Sequence, residues 1–308
     1  MAERVLIALG GNAMTAPDGS AAPGDQRAAV EEAMGHVRAL LGQGHQVILT
    51  HGNGPQVGNL LLKNQLAAAV VPPVPLDWCG AQTQATIGTL IMNALGPGVA
   101  TVVTRTLVDP ADPGFAEPTK PIGRYFSGDE ARRFQALGQS WRRFERGWRR
   151  VVASPHPLEI LEADAVRVLM EAGYTVVAAG GGGVPVVRQA DGTLAGIEAV
   201  IDKDLAAALL ARSVGATVLL IATDVPNAVI GYGGPDPRPI GRISAGELRV
   251  LHAAGYFAGG SMGPKVEAAL RFVDEGGSRA VITSLAGIER AMSLETGTQV
   301  EPDRAGVT

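Results

Sequence analysis

The sequence is short of several things that would each mark a class of protein. It has one cysteine, Cys79, among 308 residues. That excludes a disulfide framework within the chain and fits a reducing cytoplasm. Aromatic residues are only 4 %, so the core has to rest on Val, Leu, Ile and Ala. A basic excess is missing: 26 Lys and Arg stand against 30 Asp and Glu, for a formal net charge of −4. Chains that grip nucleic acid by its phosphates carry the opposite balance, so nucleic acid is not an expected partner. Apolar runs are short and broken by Gly, Asp or Pro, so no membrane span is expected. The N-terminus, Met-Ala-Glu-Arg, runs straight into an apolar strand and lacks the features of a secretory leader.

What is abundant is glycine, with 41 residues, many of them clustered where an apolar run ends. Val5–Leu9 reads as a buried strand and stops at Gly10-Gly11-Asn12. Gln46–Thr50 reads as a second, stopped by Gly52-Asn53-Gly54. Between them Val30, Met34, Val37 and Leu41 recur at helical spacing over Gln26–Leu41. Helices are expected at Gln56–Ala69, Gln82–Leu95, Val166–Ala172, Leu205–Val214 and Pro264–Val273. Strands are expected near Ala100–Val103, Thr175–Ala179, Ala216–Ala222 and Ala280–Thr283. Alternation of this kind predicts an α/β fold with a mainly parallel sheet covered on both faces. Ligands then bind at the C-terminal ends of the strands, where the glycine clusters fall. From Pro110 to Trp148 the rhythm breaks into prolines and then arginines, which reads as an inserted excursion or lid.

Each chemical candidate has a plain alternative. Gly10-Gly11-Asn12 and Gly52-Asn53-Gly54 suit converging backbone N–H groups around an anion, and also suit tight turns. His51 is an acid or base, or a packed histidine bonded to backbone; no second histidine or cysteine lies at metal-ligand spacing from it, and no protein-held metal is expected. Gly180–Gly183 permit close approach of a ligand or of another segment. Asp202-Lys203-Asp204 opens a helix, where the aspartates suit the dipole but the lysine opposes it unless it faces an anion. Lys265 follows Gly260-Ser261-Met262-Gly263-Pro264 near another helix start, without the Gly-Lys-Ser/Thr ending of a Walker A loop. The arginines at 142, 143, 146, 149 and 150 read as a solvated face. Separated lysines and bare glycine loops are the equipment of phosphoryl transfer, which works by positioning and charge neutralisation.

Taken together the motifs resemble the carbamate kinases of the amino-acid kinase superfamily. The resemblance is carried by Ala8-Leu9-Gly10-Gly11-Asn12-Ala13, His51-Gly52-Asn53-Gly54-Pro55-Gln56-Val57-Gly58, Pro118-Thr119-Lys120-Pro121-Ile122-Gly123, Glu198-Ala199-Val200-Ile201-Asp202-Lys203-Asp204, and Ser261-Met262 with Pro264-Lys265. These occur in the family's order across almost the whole chain. The resemblance implies a three-layer αβα sandwich around a mainly parallel sheet, with a small protruding lid at about 110–150. An N-terminal lobe (1–212) would hold carbamate or carbamoyl phosphate, and a C-terminal lobe (213–308) would hold the nucleotide. It implies a transferase that moves a phosphoryl group between ATP and carbamate, working with Mg²⁺ as a homodimer, in arginine catabolism that ends in ATP.

The roles implied are these. Gly10, Gly11, Asn12, Gly52, Asn53 and Gly54 cradle the carbamoyl and phosphoryl oxygens. Lys120, Lys203 and Lys265 neutralise phosphate charge, and Asp204 orients the lysines. Gly180, Gly181, Gly182, Thr223, Asp224 and Met262 bind the nucleotide. The chain departs from the family's pattern at Pro226, where an acid is usual, at Ala85, usually glycine, at His156, often lysine, and at Gly263, where a bulkier residue is common. An acid kinase of the same superfamily acting on another small carboxylate is the alternative.

Overall fold

The computed structural model describes residues 2–16, 21–234, 236–257 and 261–303. Its backbone is one eight-stranded sheet. The strands are β1 (Arg4–Leu9), β2 (Gln46–His51), β3 (Val99–Thr101), β4 (Thr175–Val177), β5 (Val218–Thr223), β6 (Arg242–Ser244), β7 (Arg279–Ser284) and β8 (Thr298–Glu301), in the order β6-β8-β7-β5-β1-β2-β4-β3. Every pairing is parallel except β7 with β8.

The layers follow from the period of two in the strands. Leu6, Ala8, Ile48, Val176, Leu219, Ile221, Ala280 and Ile282 point to one face and pack against Ala163–Glu171, Lys203–Ser213, Ala245–Ala253 and Met262–Asp274. Val5, Ile7, Leu9, Val47, Leu49, Val218, Leu220 and Val281 point to the other, under Pro23–Gly42 and Leu76–Leu95. A strand covered on both faces has no polar side to show, which is why β1, β2 and β5 read as unbroken apolar runs. The expected three-layer αβα sandwich is what the chain forms.

Most element boundaries fall within two or three residues of expectation. The exception is the helix expected from Gln82, which begins at Leu76 with Pro75 as its N-cap and Asp77 in its first turn. The excursion is also more regular than its prolines suggested. It is a three-stranded antiparallel sheet of Lys120–Phe126, Gly147–Val152 and Trp141–Phe144, with the helix Gly128–Gln135 laid against it. Ser127 and Glu130 close a reciprocal capping box at that helix start. Phe126, Phe134 and Trp141 form its small core, with ring centroids 5.1–5.8 Å apart. The arginine run is not wholly a solvated face: Arg142, Arg143 and Arg146 are exposed, whereas Arg149 and Arg150 are partly buried.

This lid rests on the helix Gly54–Ala67 through two glycines. A Cβ at Gly58 would lie 2.0 Å from the Cα of Gly123, so the backbones touch there. Gly123 itself has φ +70°, which favours glycine.

Candidate active site

Four loops leave the same end of the sheet. After β1 comes Gly10 and a short 3₁₀ turn, Gly11–Met14. After β2 comes Gly52, whose N–H donates to the Leu9 carbonyl at 3.0 Å. The two are in backbone contact, since a Cβ at Gly52 would lie 3.2 Å from the nitrogen of Gly11. On the other side, a Cβ at Gly10 would lie 3.1 Å from the Ala222 carbonyl oxygen at the end of β5. Glycine therefore lets the strand ends at Gly10 and Gly52 approach more closely than a side chain would comfortably allow. The backbone of Asn12 lies in the 3₁₀ turn; its side chain, like Gly260, is outside the described residues.

Gly10, Gly11, Lys203, Thr223, Asp224 and Lys265 line one cavity of about 530 Å³. It adjoins a second of about 220 Å³ that shares Thr223, Asp224 and Ser261 and is walled by Met262, Tyr232, Tyr256 and Phe257. The first is mixed in character, with Lys203 and Lys265 and the acids Glu32 and Asp224 among its lining residues. The second, a slot, has Tyr232, Tyr256 and Phe257 in its walls and joins the first at Thr223, Asp224 and Ser261.

The lysines are held by carboxylates. Asp202 is the N-cap of the helix Lys203–Ser213, accepting from the N–H groups of Asp204 at 2.8 Å and Leu205 at 3.3 Å. Its other oxygen accepts from Nζ of Lys120, 2.5 Å away, and so ties the lid to the sheet. One turn into the helix Met262–Asp274, Lys265 reaches across to Asp204. Its Nζ is 3.0 Å from Oδ2, while Nζ of Lys203 is 2.5 Å from Oδ1. The side chains of Lys203, Asp204 and Lys265 are 11 %, 4 % and 8 % exposed. Burial pushes the Lys203 ammonium below its ordinary value and the neighbouring Lys265 adds to this, while Asp204 opposes it. Burial also works against the Asp204 carboxylate, but Lys203 and Lys265 outweigh it and hold that group below the usual range.

Gly180–Gly182 turn out to have a different neighbourhood from the one expected. They are buried against protein. A Cβ at Gly180 would lie 2.3 Å from Nε2 of His51, and one at Gly181 2.0 Å from Nδ2 of Asn53. At Gly182 the clash would be with the Ile201 carbonyl oxygen, at 2.6 Å. None of the three is among the residues that line either cavity. The close approaches seen at these glycines are to His51 and Asn53 at the end of β2 and to Ile201. Gly52, Asn53 and Gly54 form a layer just behind Gly11. Asn53 is buried and donates to Oγ1 of Thr83 at 2.9 Å.

His51 is the packed histidine of the two readings. It is 1 % exposed, its Nδ1 lies 3.1 Å from the Gly52 carbonyl oxygen, and burial lowers it to about 4. Of the departures, Ala85 sits on the exposed face of Leu76–Leu95, opposite the buried Thr83 and Gln84. His156 lies at the lid's root, with Nδ1 3.8 Å from Asp112 and Nε2 3.6 Å from Glu267. Gly263 is needed where it is, because a Cβ there would lie 2.9 Å from the Phe257 carbonyl oxygen.

Sequence reasoning passed over Asp202 as a simple helix cap and missed Thr83, Tyr232 and Tyr256. Asp202 showed only the cap signal because its second partner is 82 residues away. The tyrosines had a signal: they are two of only four in the chain, and Tyr232 is 78 % exposed.

Paired lysines sharing one carboxylate, under glycine loops and beside an aromatic slot, suit a phosphotransferase that brings two anions together. The model of the amino acid kinase family matches residues 3–284. The chain is 44 % identical to the carbamate kinase of Thermococcus kodakarensis over 97 % of this chain and 99 % of that one. It is 42 % identical to the carbamate kinase of Pyrococcus furiosus over 98 % and 100 %. Among solved structures, the carbamate kinase from Giardia lamblia bound to citric acid superposes with a TM-score of 0.94 at 41 % identity, covering 98 % of this chain and 99 % of that one. The same Giardia lamblia enzyme bound to AMP-PNP gives 0.90. The chain belongs to the amino acid kinase family and, within it, to the carbamate kinases.

Proposed function

We propose that the chain catalyses reversible phosphoryl transfer between ATP and carbamate, with carbamoyl phosphate and ADP as the other pair. The observation that carries this reading is the buried Lys203–Asp204–Lys265 trio, opening with Gly10 and Gly11 into one cavity. Carbamate is already an anion, so no general base is needed. A carboxylate oxygen attacks the γ-phosphorus, the bond to the bridging oxygen of ADP breaks, and no proton changes place. The barrier is the mutual repulsion of two anions, and fixed cations and backbone N–H groups remove it.

In this reading Gly10, Gly11, Asn12, Gly52, Asn53 and Gly54 hold the carbamoyl and phosphoryl oxygens. Lys120, Lys203 and Lys265 face the phosphates. Asp204 holds Lys203 and Lys265 on its two oxygens and favours the charged form of Lys203. The nucleotide lies with its base in the slot of Tyr232, Tyr256 and Met262 and its phosphates beside Thr223 and Asp224; the relative solved with AMP-PNP supports nucleotide use. Gly181 serves by seating Asn53, beside Gly180 against His51 and Gly182 against Ile201. Among the described residues no group of three or more His, Cys, Asp and Glu is placed to hold a metal, and both Asp204 oxygens are taken by lysine. Mg²⁺ then enters as part of MgATP or MgADP. The boundary between the substrate half and the nucleotide half runs between β1 and β5. A cytoplasmic homodimer working in arginine catabolism toward ATP completes the proposal.

The test is to mix the purified protein with MgADP and carbamoyl phosphate and measure ATP, with K265A as control. Rapid ATP formation that collapses in the variant supports the assignment. Folded protein that binds nucleotide but makes no ATP overturns it and points to another carboxylate acceptor.

A further inference from the structure

The charges of this chain are sharply segregated. The 33 residues from Lys120 to Val152 hold nine Lys and Arg and three Asp and Glu, a net of +6. The rest of the chain holds 17 and 27, a net of −10. The lid is therefore a basic body mounted on an acidic one.

Several of its cations have no structural task. Lys120 is committed to Asp202. Arg132 pairs with Asp129, Arg124 lies 3.9 Å from Glu130 and 4.4 Å from the centre of the Phe126 ring, and Arg146 lies over the Tyr125 ring. Arg149 and Arg150 are partly buried. Arg133, Arg142 and Arg143 remain. All three are exposed, and none has an ion pair among the described residues. Glu130 and Glu145 offset part of this charge, and the lid still presents a net positive field to solvent.

Their position relative to the site comes from strand register. Lys120 pairs with Val152, and Arg142 pairs with Arg149, three residues back along the same strand. At roughly 3.3 Å per residue the Arg142 row stands about 10 Å along the strand from the Lys120 row, and Arg142 lies on the opposite edge strand of the lid, about 10 Å across, so the two backbone positions are roughly 14 Å apart. That is beyond the ~10 Å Debye length at 0.1 M salt but well inside the ~30 Å of 0.01 M salt, so the influence is strong only at low salt. Charges at this range guide a ligand without touching it.

We propose that Arg133, Arg142 and Arg143 form an electrostatic guide that draws the anionic substrates to the cavity and offsets the repulsion of the acidic body. This rests on the phosphotransferase reading, whose substrates are all anions. The guide raises the encounter rate and local concentration of carbamoyl phosphate and leaves the transfer step alone.

The experiment compares wild type, R133Q/R142Q/R143Q and the remote control R188Q/R212Q/R290Q in the ATP-forming direction. kcat and KM for carbamoyl phosphate are measured from about 0.01 to about 0.3 M ionic strength. Wild-type kcat/KM is expected to fall with salt at constant kcat. The lid variant should be several-fold lower in kcat/KM at low salt, with kcat unchanged, a flatter salt slope, and convergence with wild type at high salt. R142E/R143E should flatten or invert the slope further. The proposal is overturned if the lid variant keeps the wild-type slope, or if the remote control flattens it equally. Failure of the phosphotransferase reading looks different: no ATP from wild type at any salt.

Discussion

The Oδ2 atom of Asp204 accepts from Nζ of Lys265 at 3.0 Å, although the two residues come from different helices 61 positions apart. With Lys203 on its other oxygen, this carboxylate is what allows two buried ammonium groups to stand side by side. Removing a fixed charge that meets the transferred group is expected to cost about 10²–10³-fold in turnover, so K265A should show that loss in kcat. D204N should be informative in another way. Burial and Lys265 both depress Lys203, and Asp204 is the main group opposing them. Its loss should move the alkaline limb of the kcat–pH profile to lower pH. A D204N profile that is merely scaled down, with its alkaline limb in place, would refute the role given to Asp204.

His51 makes stability depend on pH. In the folded chain it is held near 4 by burial, against about 6.5 when unfolded. As pH falls through that interval the unfolded chain takes up a proton that the folded one refuses, so stability is full above pH 6.5 and declines toward pH 4. The span corresponds to roughly 3 kcal/mol. Thermal unfolding midpoints between pH 7 and pH 4 should show the decline, and H51Q, which cannot charge, should flatten it. Equal slopes in the two proteins would dismiss His51 as the source.

Gly181 couples the glycine run to the substrate loops. At φ +65° an alanine is strained by about 1–2 kcal/mol, and its Cβ would displace the Asn53 amide from Thr83. G181A should therefore raise KM for carbamoyl phosphate several-fold while leaving KM for ADP near wild type. A rise confined to the nucleotide would instead return Gly180–Gly182 to the nucleotide side.

Gly263 gives the complementary pattern. A methyl group there would press on the Phe257 carbonyl, and Phe257 and Tyr256 wall the slot. G263A is expected to weaken nucleotide binding several-fold with little effect on KM for carbamoyl phosphate. Isothermal titration with ADP would measure it directly, and unchanged affinity would remove the slot from the account.

Much of this was legible in the residues, and the reasons differ by element. β1, β2 and β5 announce themselves because a strand buried on both faces has nothing polar to place. Gly10 and Gly52 announce themselves because backbones meet there. The lid strands were hidden for different reasons: Lys120–Phe126 is interrupted by Pro121 and Gly123 and pairs nonlocally with Gly147–Val152, while Trp141–Phe144 is a short, arginine-bearing arm of a local hairpin. The Gly180–Gly183 run was plain to see but its neighbour was not: four glycines say that something comes close, and only the fold shows that His51 and Asn53 do. The Asp202–Lys120 bond, spanning 82 residues, leaves no local trace at either end beyond an ordinary cap.

The pairing of β1 with β5 runs without interruption from Val5–Val218 to Ala8–Ile221. The loop bearing Gly10 and the loop bearing Thr223 thus emerge from adjacent rungs of a single ladder, whose spacing is about 4.8 Å. Both loops therefore start from one continuous hydrogen-bonded ladder. If the substrates lie as proposed, the first measure of the gap between them is the distance between two hydrogen-bonded strands.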